Sequence, residues 1–384
     1  MRLATIFSCW RRGIPDWHRL LTCPTVPPPR SPIGADQHGH AMRPSRSSVT
    51  RLTRRAFLRV GAVLPPAFLG ALAACDVRDF AYRHGGKRRL SIGTAGTGAT
   101  IYIYGGAIAK VISTYVPKVE ATAELTAGAV DNLRLLLRGA VDLAGVMSDA
   151  LDDALQRRGA FAGGPAAPAR TLVNLYRTGM HLVTFADLRI ERLGDLRGRR
   201  VSTGAPGAGT DNMALRVLAA GGLDPDRDLR RERLSFAASA EAMKDGKLDA
   251  CFIAGALPNP SVMDLARTHG RRLRLVPLDE VLPTLQRQFG PNVYLPFDIP
   301  RGVYPGVDAT VPTAGANQLL VADERLDQAL VHDITRALFD HHAELVAVHP
   351  AARELTLRSA VTGSPAPYHE GAIRYFREVG AWRA

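Results

Sequence analysis

Residues 94–107 read TAGTGATIYIYGGA, and this stretch decides the fold because it joins the short apolar run 90–93 to a helix-like segment through a glycine-rich turn. The G-x-G of Gly96 and Gly98 is compatible with a phosphate loop, but a dinucleotide fingerprint needs a third glycine where Ile101 stands. A P-loop is also excluded, since no Gly-Lys-Ser/Thr follows. The turn is therefore typical of an α/β junction whose ligand is not a nucleotide held by either motif.

The length and the charge distribution indicate a two-lobed protein with a basic leader. A chain of 384 residues is longer than one hydrophobic core usually serves. Residues 1–75 hold eleven Arg and two Asp, a net charge of +9 out of the chain's +13, which leaves +4 for all later residues. Those later residues have no long basic run with interleaved aromatics, so we expect no nucleic-acid partner.

The leader has the order of features of an exported lipoprotein. Arg54 and Arg55 form a twin-arginine pattern, and the apolar run 60–74, too short for a membrane span, ends in Leu-Ala-Ala before Cys75. We therefore predict a Tat signal with lipid attachment at Cys75. The expected location is the periplasm, with the lipid as an anchor in the inner membrane.

The signal fixes the predicted boundaries of the leader. Met42 begins a leader of ordinary length that runs over 42–75, and a polar linker over 76–87 follows it. The Pro-, His- and Arg-rich residues 1–41 lie ahead of the signal, and we predict that they are a non-native or disordered extension.

The rest of the chain alternates strand-like and helix-like runs, the pattern of an α/β fold with mostly parallel sheets covered by helices. Nine short runs of strand character are 90–93, 142–147, 172–176, 181–185, 200–203, 234–236, 249–254, 273–277 and 318–322. The proline-rich stretch 290–300 is predicted to be a long irregular surface connection. Cys251 lies in an apolar run and is interpreted as a small core residue.

Two glycine-rich junctions point to a shared anion site. Residues 94–98 precede one helix-like segment, and residues 204–209 precede another that starts near Thr210. A helix N-terminus offers unpaired N–H groups and a partial positive charge, and glycine lets a ligand approach the backbone. The two junctions together predict a grip on a carboxylate.

Catalytic and metal motifs are missing from the sequence after the leader. His-x-x-x-His, His-Glu-x-x-His and Gly-x-Ser-x-Gly do not occur there, and too few cysteines remain for a disulfide or a cysteine metal site. We therefore expect no enzyme activity, no cofactor and no metal. Five acidic residues are interpreted as ordinary surface charge: Glu120, Glu124, Asp142, Asp152 and Asp153.

The motifs taken in order resemble the TAXI class of solute-binding proteins, the extracytoplasmic subunits of tripartite ATP-independent periplasmic (TRAP) transporters. The resemblance spans nearly all of residues 87–380. It rests on eight short motifs, which lie at 96–106, 126–132, 148–149, 193–198, 201–210, 244–250, 256–260 and 368–375.

The resemblance implies a two-lobed α/β fold of the periplasmic-binding-protein kind (type II), with a hinge and a ligand cleft between the lobes. Lobe 1 would comprise 88–183 and 274–384, and lobe 2 would comprise 184–273, with the chain crossing near 182–185 and returning near 273–278. The ligand-binding residues that the resemblance implies are Thr97, Tyr102, Asn132, Ser148, Tyr176, Gly207, Gly209, Thr210, Asp211, Pro258 and Asn259.

The implied function is capture of a small organic anion or amino acid, of the glutamate-like or dicarboxylate class, by a monomer that delivers it to TRAP permease subunits. A ligand-sensing subunit for a membrane receptor and, on a similar two-lobed fold, an enzyme are the alternatives. The chain has Ala99, Ile101 and Ile103 where the family usually has Gly-Thr-Tyr-Tyr-Pro, and Ala208 where it has serine. These differences indicate a ligand less polar than glutamate.

Overall fold

The computed structural model describes residues 85–268 and 270–382. The predictions for the extension over 1–41, the signal over 42–75 and lipid attachment at Cys75 lie outside the described residues, as does most of the linker over 76–87.

The described residues form strands and helices that alternate along most of the chain. The strands are β1 (Arg88–Gly93), β2 (Val119–Glu124), β3 (Leu143–Met147), β4 (Ala169–Phe185), β5 (Arg200–Ser202), β6 (Arg230–Glu232), β7 (Ala250–Gly255), β8 (Leu273–Val276), β9 (Leu295–Ile299) and β10 (Val311–Asp323). The α-helices are α1 (Thr100–Tyr115), α2 (Ala129–Leu137), α3 (Ser148–Gln156), α4 (Gly209–Ala220), α5 (Phe236–Lys244), α6 (Pro260–Ala266), α7 (Leu282–Phe289), α8 (Gln328–Asp340), α9 (His342–Val348), α10 (Leu357–Ala360) and α11 (Glu370–Glu378).

One sheet joins two groups of strands through a pair of long strands. Its order is β2-β1-β3-β10-β4-β7-β5-β6, with β8 added on β4 and β9 on β10. The first group is β1, β2 and β3, and the second is β5, β6 and β7, so β4 and β10 lie between them. The predicted α/β fold class is confirmed, while the exact lobe boundaries stay a prediction.

The expectation of mostly parallel sheets is wrong, because the long central strands run against their neighbours. Pairs within each group are parallel, as in β1 with β2 and β5 with β7. In contrast, β10 is antiparallel to β3, β4 and β9, and β4 is antiparallel to β7 and β8. Strand β4 carries the chain from the first group to the second, and β10 carries it back beside β4. The two strands therefore run in opposite directions and pair antiparallel.

The strand predictions are right for most apolar runs, but they miss β2 and β6 and differ from the structure at three other places. The runs 172–176 and 181–185 belong to the single strand β4, since both faces of it are buried. Residues 234–236 are not a strand, because Ser235 caps α5 by accepting a hydrogen bond from the N–H of Ala238. Residues 295–299 of the predicted irregular stretch form β9, which tolerates Pro296 because it pairs only with β10.

Apolar side chains on both faces of the sheet form the core. One cluster packs Tyr104 and Ile108 of α1 against Ile334 of α8, and another packs Leu133 of α2 with Val217 of α4. Cys251 is fully buried, with its Sγ 3.2 Å from the Met243 Sδ, so its interpretation as a core residue is confirmed. None of the described helices combines the length and apolar character that a membrane crossing requires.

His181 on β4 is a buried polar residue of this core. Its Nδ1 lies 3.1 Å from the carbonyl oxygens of both Gly179 and Ile253, so this nitrogen carries the proton. Its Nε2 accepts a hydrogen bond of 3.0 Å from the Tyr304 hydroxyl. Burial lowers the pKa of the imidazole to about 4, because a charged ring would lose its hydration there.

Acid should therefore destabilise the fold through His181. The unfolded chain takes up a proton at this ring near pH 6.5 and the folded chain only near pH 4, so stability falls as pH drops through this window. Urea unfolding between about pH 7 and pH 4.5 should lose about 2.5 kcal/mol more in the parent than in His181→Gln. Equal losses in the two proteins would contradict this assignment.

Candidate functional site

A cavity lies where the two strand groups meet, and the N-termini of four helices line it. Its wall includes the first residues, or the residues just before them, of α1, α2, α4 and α5. Tyr176 and Thr178 of β4 and Gln318 of β10 form its floor. The volume of about 160 Å³ is several times what one buried water needs, so the cavity has room for a small organic molecule.

Two of the helix ends in the cavity wall, those of α1 and α4, have free donors. The N-terminal flanking residues of α1, α2 and α4 are Ala99, Gly128 and Ala208, and no side chain caps these three helices. Within residues 85–268 and 270–382, the N–H groups of Thr100 and Gly209 have no acceptor. Such ends carry a partial positive charge, so they favour an anionic group.

The glycine-rich turns bring the two groups into direct contact beside the cavity. The carbonyl oxygen of Gly207 accepts hydrogen bonds of 3.1 Å from the N–H groups of both Val130 and Asp131, in the first turn of α2. A Cβ on Gly128 would lie 3.2 Å from the Cα of Ala208. The backbone of one strand group thus contacts the backbone of the other, and the N-termini of α2 and α4 face each other. We call this contact between the two groups the closed arrangement.

A break in register on β4 aims two side chains into the cavity. Gln318 pairs with Tyr176, but the next residue of β10 pairs with Asn174, so Leu175 is left out of the ladder. Such bulges redirect side chains, and they recur beside binding sites. Tyr176 stacks on Tyr104 with ring centres 5.7 Å apart, and burial raises its pKa well above the usual range, which keeps the hydroxyl protonated.

Two polar side chains of the wall lack a partner. Thr100 is 2% exposed and Gln318 is 5% exposed. Among the described residues, none lies within hydrogen-bond distance of the Thr100 Oγ1 or the Gln318 Nε2. A buried polar atom without a partner costs about 1–3 kcal/mol, so both groups gain if a ligand supplies one.

The wall has no ionisable acid or base other than the Tyr176 phenol. Its residues, all in the described part of the chain, include no Asp, Glu, Lys, Arg, His or Cys. Alanine and glycine form much of its surface, and Ile101, Met147 and Phe236 supply the larger apolar groups. The site is therefore apolar, with its positive potential coming from backbone dipoles.

Four of the eleven predicted ligand-binding residues line the cavity. They are Thr97, Tyr176, Gly209 and Thr210. Thr210 is fixed there, since its Oγ1 accepts a hydrogen bond of 3.3 Å from the N–H of Ala254.

Three predicted residues lie behind the wall with their polar groups bonded to the protein. The Asn132 amide donates to the carbonyl oxygens of Thr94 and Gly145 at 2.7 and 2.8 Å. The Ser148 hydroxyl donates to the Val293 carbonyl oxygen at 2.9 Å. Asp211 is held by two arginines. These residues shape the loops around the cavity.

The other four predicted residues also lie outside the wall. Tyr102 of α1 is half-buried and packs against the core. Gly207 bonds α2 through its carbonyl, and Pro258 follows a cis peptide bond. Asn259 caps α6 by accepting hydrogen bonds from two N–H groups of its first turn. Their role toward a ligand stays a prediction.

The sequence-based site missed Thr100, Thr126 and Gln318. Thr100 is the first residue of α1, so the helix-start signal that pointed to residues 94–98 also extended to it. Gln318 had no signal, because its position depends on the register of β10 against β4.

The prediction that Asp152 and Asp153 are surface charges is wrong. Both residues are buried members of an ionic cluster. Asp153 pairs with Arg216 of α4, and Arg216 also donates to the Tyr294 hydroxyl at 3.1 Å. Asp149 accepts from that same hydroxyl at 3.1 Å, and burial raises the pKa of this carboxyl. The cluster joins α3 of the first group to α4 of the second, away from the cavity wall.

The chain matches one family model and is similar to solved binding proteins. A family model described as the NMT1-like family matches residues 92–380, well over half of the chain. The chain is also similar to the alkanesulfonate-binding protein SsuA from Xanthomonas axonopodis pv. citri, bound to MOPS, with 18% identity over 77% of this chain and 92% of that one and a TM-score of 0.41. A second similar structure is the binding protein component of an ABC phosphonate transporter from Pseudomonas aeruginosa, with 13% identity over 69% and 79% of the two chains and a TM-score of 0.40.

Replacing Gly209 should loosen the closed arrangement. A Cβ there would lie 2.6 Å from the Met147 Sδ and 3.1 Å from the Cβ of Ala129, so Gly209→Val should push α4 away from α2. The amides of Val130 and Asp131 would then lose the Gly207 carbonyl, and we expect their hydrogen exchange to speed up about tenfold or more.

A glycine with free space supplies the control for this experiment. Gly106 lies in α1, and apart from its chain neighbours and the backbone of α1 no atom lies within 4 Å of the position that a Cβ would take there, so Gly106→Ala should leave the exchange of both amides unchanged. Unchanged protection in Gly209→Val would show that the two helix ends do not depend on close contact.

Proposed function

The chain belongs to the NMT1-like family, and from that premise we propose that it is an extracytoplasmic solute-binding protein. It captures a small organic anion or amino acid between its two strand groups and presents it to membrane permease subunits. The resemblance of its motifs to the TAXI class favours a TRAP transporter as the partner. The predicted signal over 42–75 supports a periplasmic location with an anchor at Cys75.

The observation that carries the proposal is the convergence of four helix N-termini on one cavity. Both strand groups contribute, since α1 and α2 follow strands of the first group and α4 follows β5 of the second. A ligand in this cavity touches both groups at once. Contacts that exist only in the closed state shift the equilibrium toward closure, which is how a hinged binding protein traps its ligand.

The chemistry of the wall supports binding over catalysis. A hydrolase or transferase needs an acid, a base or a nucleophile in reach of its substrate. The cavity wall, which lies wholly within the described residues, holds only hydroxyl and amide side chains among its polar groups. Its threonines and Ser235 have no histidine or carboxylate beside them in the wall to activate a hydroxyl.

Binding should be tested with the purified full-length chain and a panel of amino acids, monocarboxylates and dicarboxylates. A compound that binds only the native state raises the melting temperature, so thermal shift identifies it and calorimetry measures its affinity. At least one compound of the panel should bind with 1:1 stoichiometry. If no compound of the panel binds, the proposed function is wrong.

Thr100→Val tests the location of the site once a ligand is found. The hydroxyl it removes has no partner in the described residues, so the variant should fold as well as the parent. Loss of a hydrogen bond to the ligand should weaken binding about tenfold in calorimetry. Tyr102→Phe is the matched control, because this predicted site residue lies outside the cavity wall, and its affinity should equal that of the parent.

A further inference from the structure

We propose that the cavity selects a monocarboxylate with an apolar body and no amino group, and that it rejects both amino acids and dicarboxylates. This inference rests on the proposed function and narrows its ligand class. It follows from which charges the cavity wall has, which it lacks, and where the unpartnered polar groups lie.

The wall can hold one negative charge by backbone groups alone. The ends of α1 and α4 present free N–H groups from opposite strand groups, at Thr100 and Gly209. The unpartnered amide of Gln318 and hydroxyl of Thr100 add side-chain donors at the same wall. Backbone N–H groups and helix dipoles together suffice for a carboxylate.

An ammonium group has no partner in the wall. The described residues that line the cavity include no carboxylate, and the four helix N-termini repel a positive charge. A buried ammonium without a carboxylate is strongly disfavoured. The α-amino group of an amino acid therefore opposes binding here, although the same molecule without that group fits the donors.

Asp211 and Asp131, in the first turns of α4 and α2, accept hydrogen bonds from other groups of the protein. Asp211 in the first turn of α4 receives hydrogen bonds of 2.8 Å from both Arg231 and Arg233. Asp131 accepts from the N–H of Ala127 at 3.2 Å. Neither carboxylate lines the cavity, so neither is placed to compensate an ammonium group.

The remainder of the wall matches an apolar body. Ile101, Met147 and Phe236 face the cavity together with alanines from both strand groups. A second carboxylate would have to lie against these side chains without Arg or Lys, because no cation belongs to the wall among the described residues. Burial of an apolar body there gains free energy roughly in proportion to its area.

Four probes of similar size separate these requirements. They are 4-methylpentanoate, L-leucine, which adds an ammonium group, 4-methylpentanamide, which removes the charge, and adipate, whose unbranched six-carbon chain ends in a second carboxylate. With the full-length chain in calorimetry, 4-methylpentanoate should bind at least about 100-fold more tightly than each of the other three.

The outcomes distinguish this inference from the proposed function. If L-leucine, the amide or adipate binds as tightly as 4-methylpentanoate, the ligand class is wrong and the solute-binding function stands. If none of the four binds but an amino acid or a dicarboxylate of the wider panel does, the inference also fails alone; a monocarboxylate of the panel that binds takes the place of 4-methylpentanoate in the comparison. If no compound of either set binds, both fail.

A charge introduced at Gln318 supplies a second test. Gln318→Glu places a carboxylate in the wall, so binding of 4-methylpentanoate should fall about 100-fold while L-leucine gains affinity. Gln318→Met, which removes the amide without adding a charge, should weaken 4-methylpentanoate about fivefold and covers the case in which the glutamate variant does not fold. Gln328→Glu, at an exposed position of α8, is the matched control and should change neither affinity. An unchanged preference in both Gln318 variants would overturn the assignment of this residue.

Discussion

The pairing of β4 with β10 is the constraint on which the rest of the structure depends. These two long strands pair antiparallel over 169–179 and 315–323, and outside this ladder β10 pairs with β3 of the first group while β4 pairs with β7 of the second. Every element of either group is thereby positioned against this ladder. A shift of one residue in its register would turn Tyr176 and Gln318 away from the cavity, because side chains alternate between the two faces of a sheet.

The cavity gains its electrostatic character from this arrangement and needs no charged side chain. Parallel strands within a group send their carboxyl ends toward the same edge, and the helices that follow begin there. Where the two groups face each other, their helix N-termini are brought together around one volume. Positive potential then comes from fixed backbone dipoles, which lose no side-chain entropy on binding and cannot be titrated.

The parts of this site that the sequence predicts are those marked by local signals. Glycine-rich turns mark the starts of α1 and α4, so the sequence places Gly209 and Thr210 at a helix start that lines the cavity. Gln318 was not, because its place in the cavity comes from a bulge between strands that are more than a hundred residues apart in the chain. Because Asp153 is charged, the sequence predicts that it lies at the surface. Its burial depends on an ion pair with Arg216 of a distant helix, and no local sequence pattern reveals that pair.

The hydrogen bonds of the Gly207 carbonyl affect how well a partner can distinguish the ligand-bound protein from the ligand-free protein. The bonds of this carbonyl to Val130 and Asp131 join the two strand groups through protein atoms alone, as does the ionic cluster around Arg216. Each such bond raises the fraction of empty molecules that are closed, and the apparent affinity for a ligand rises with that fraction. The same bonds make the empty and loaded surfaces more alike, so a permease that recognises closure alone would be occupied in part by protein carrying no cargo.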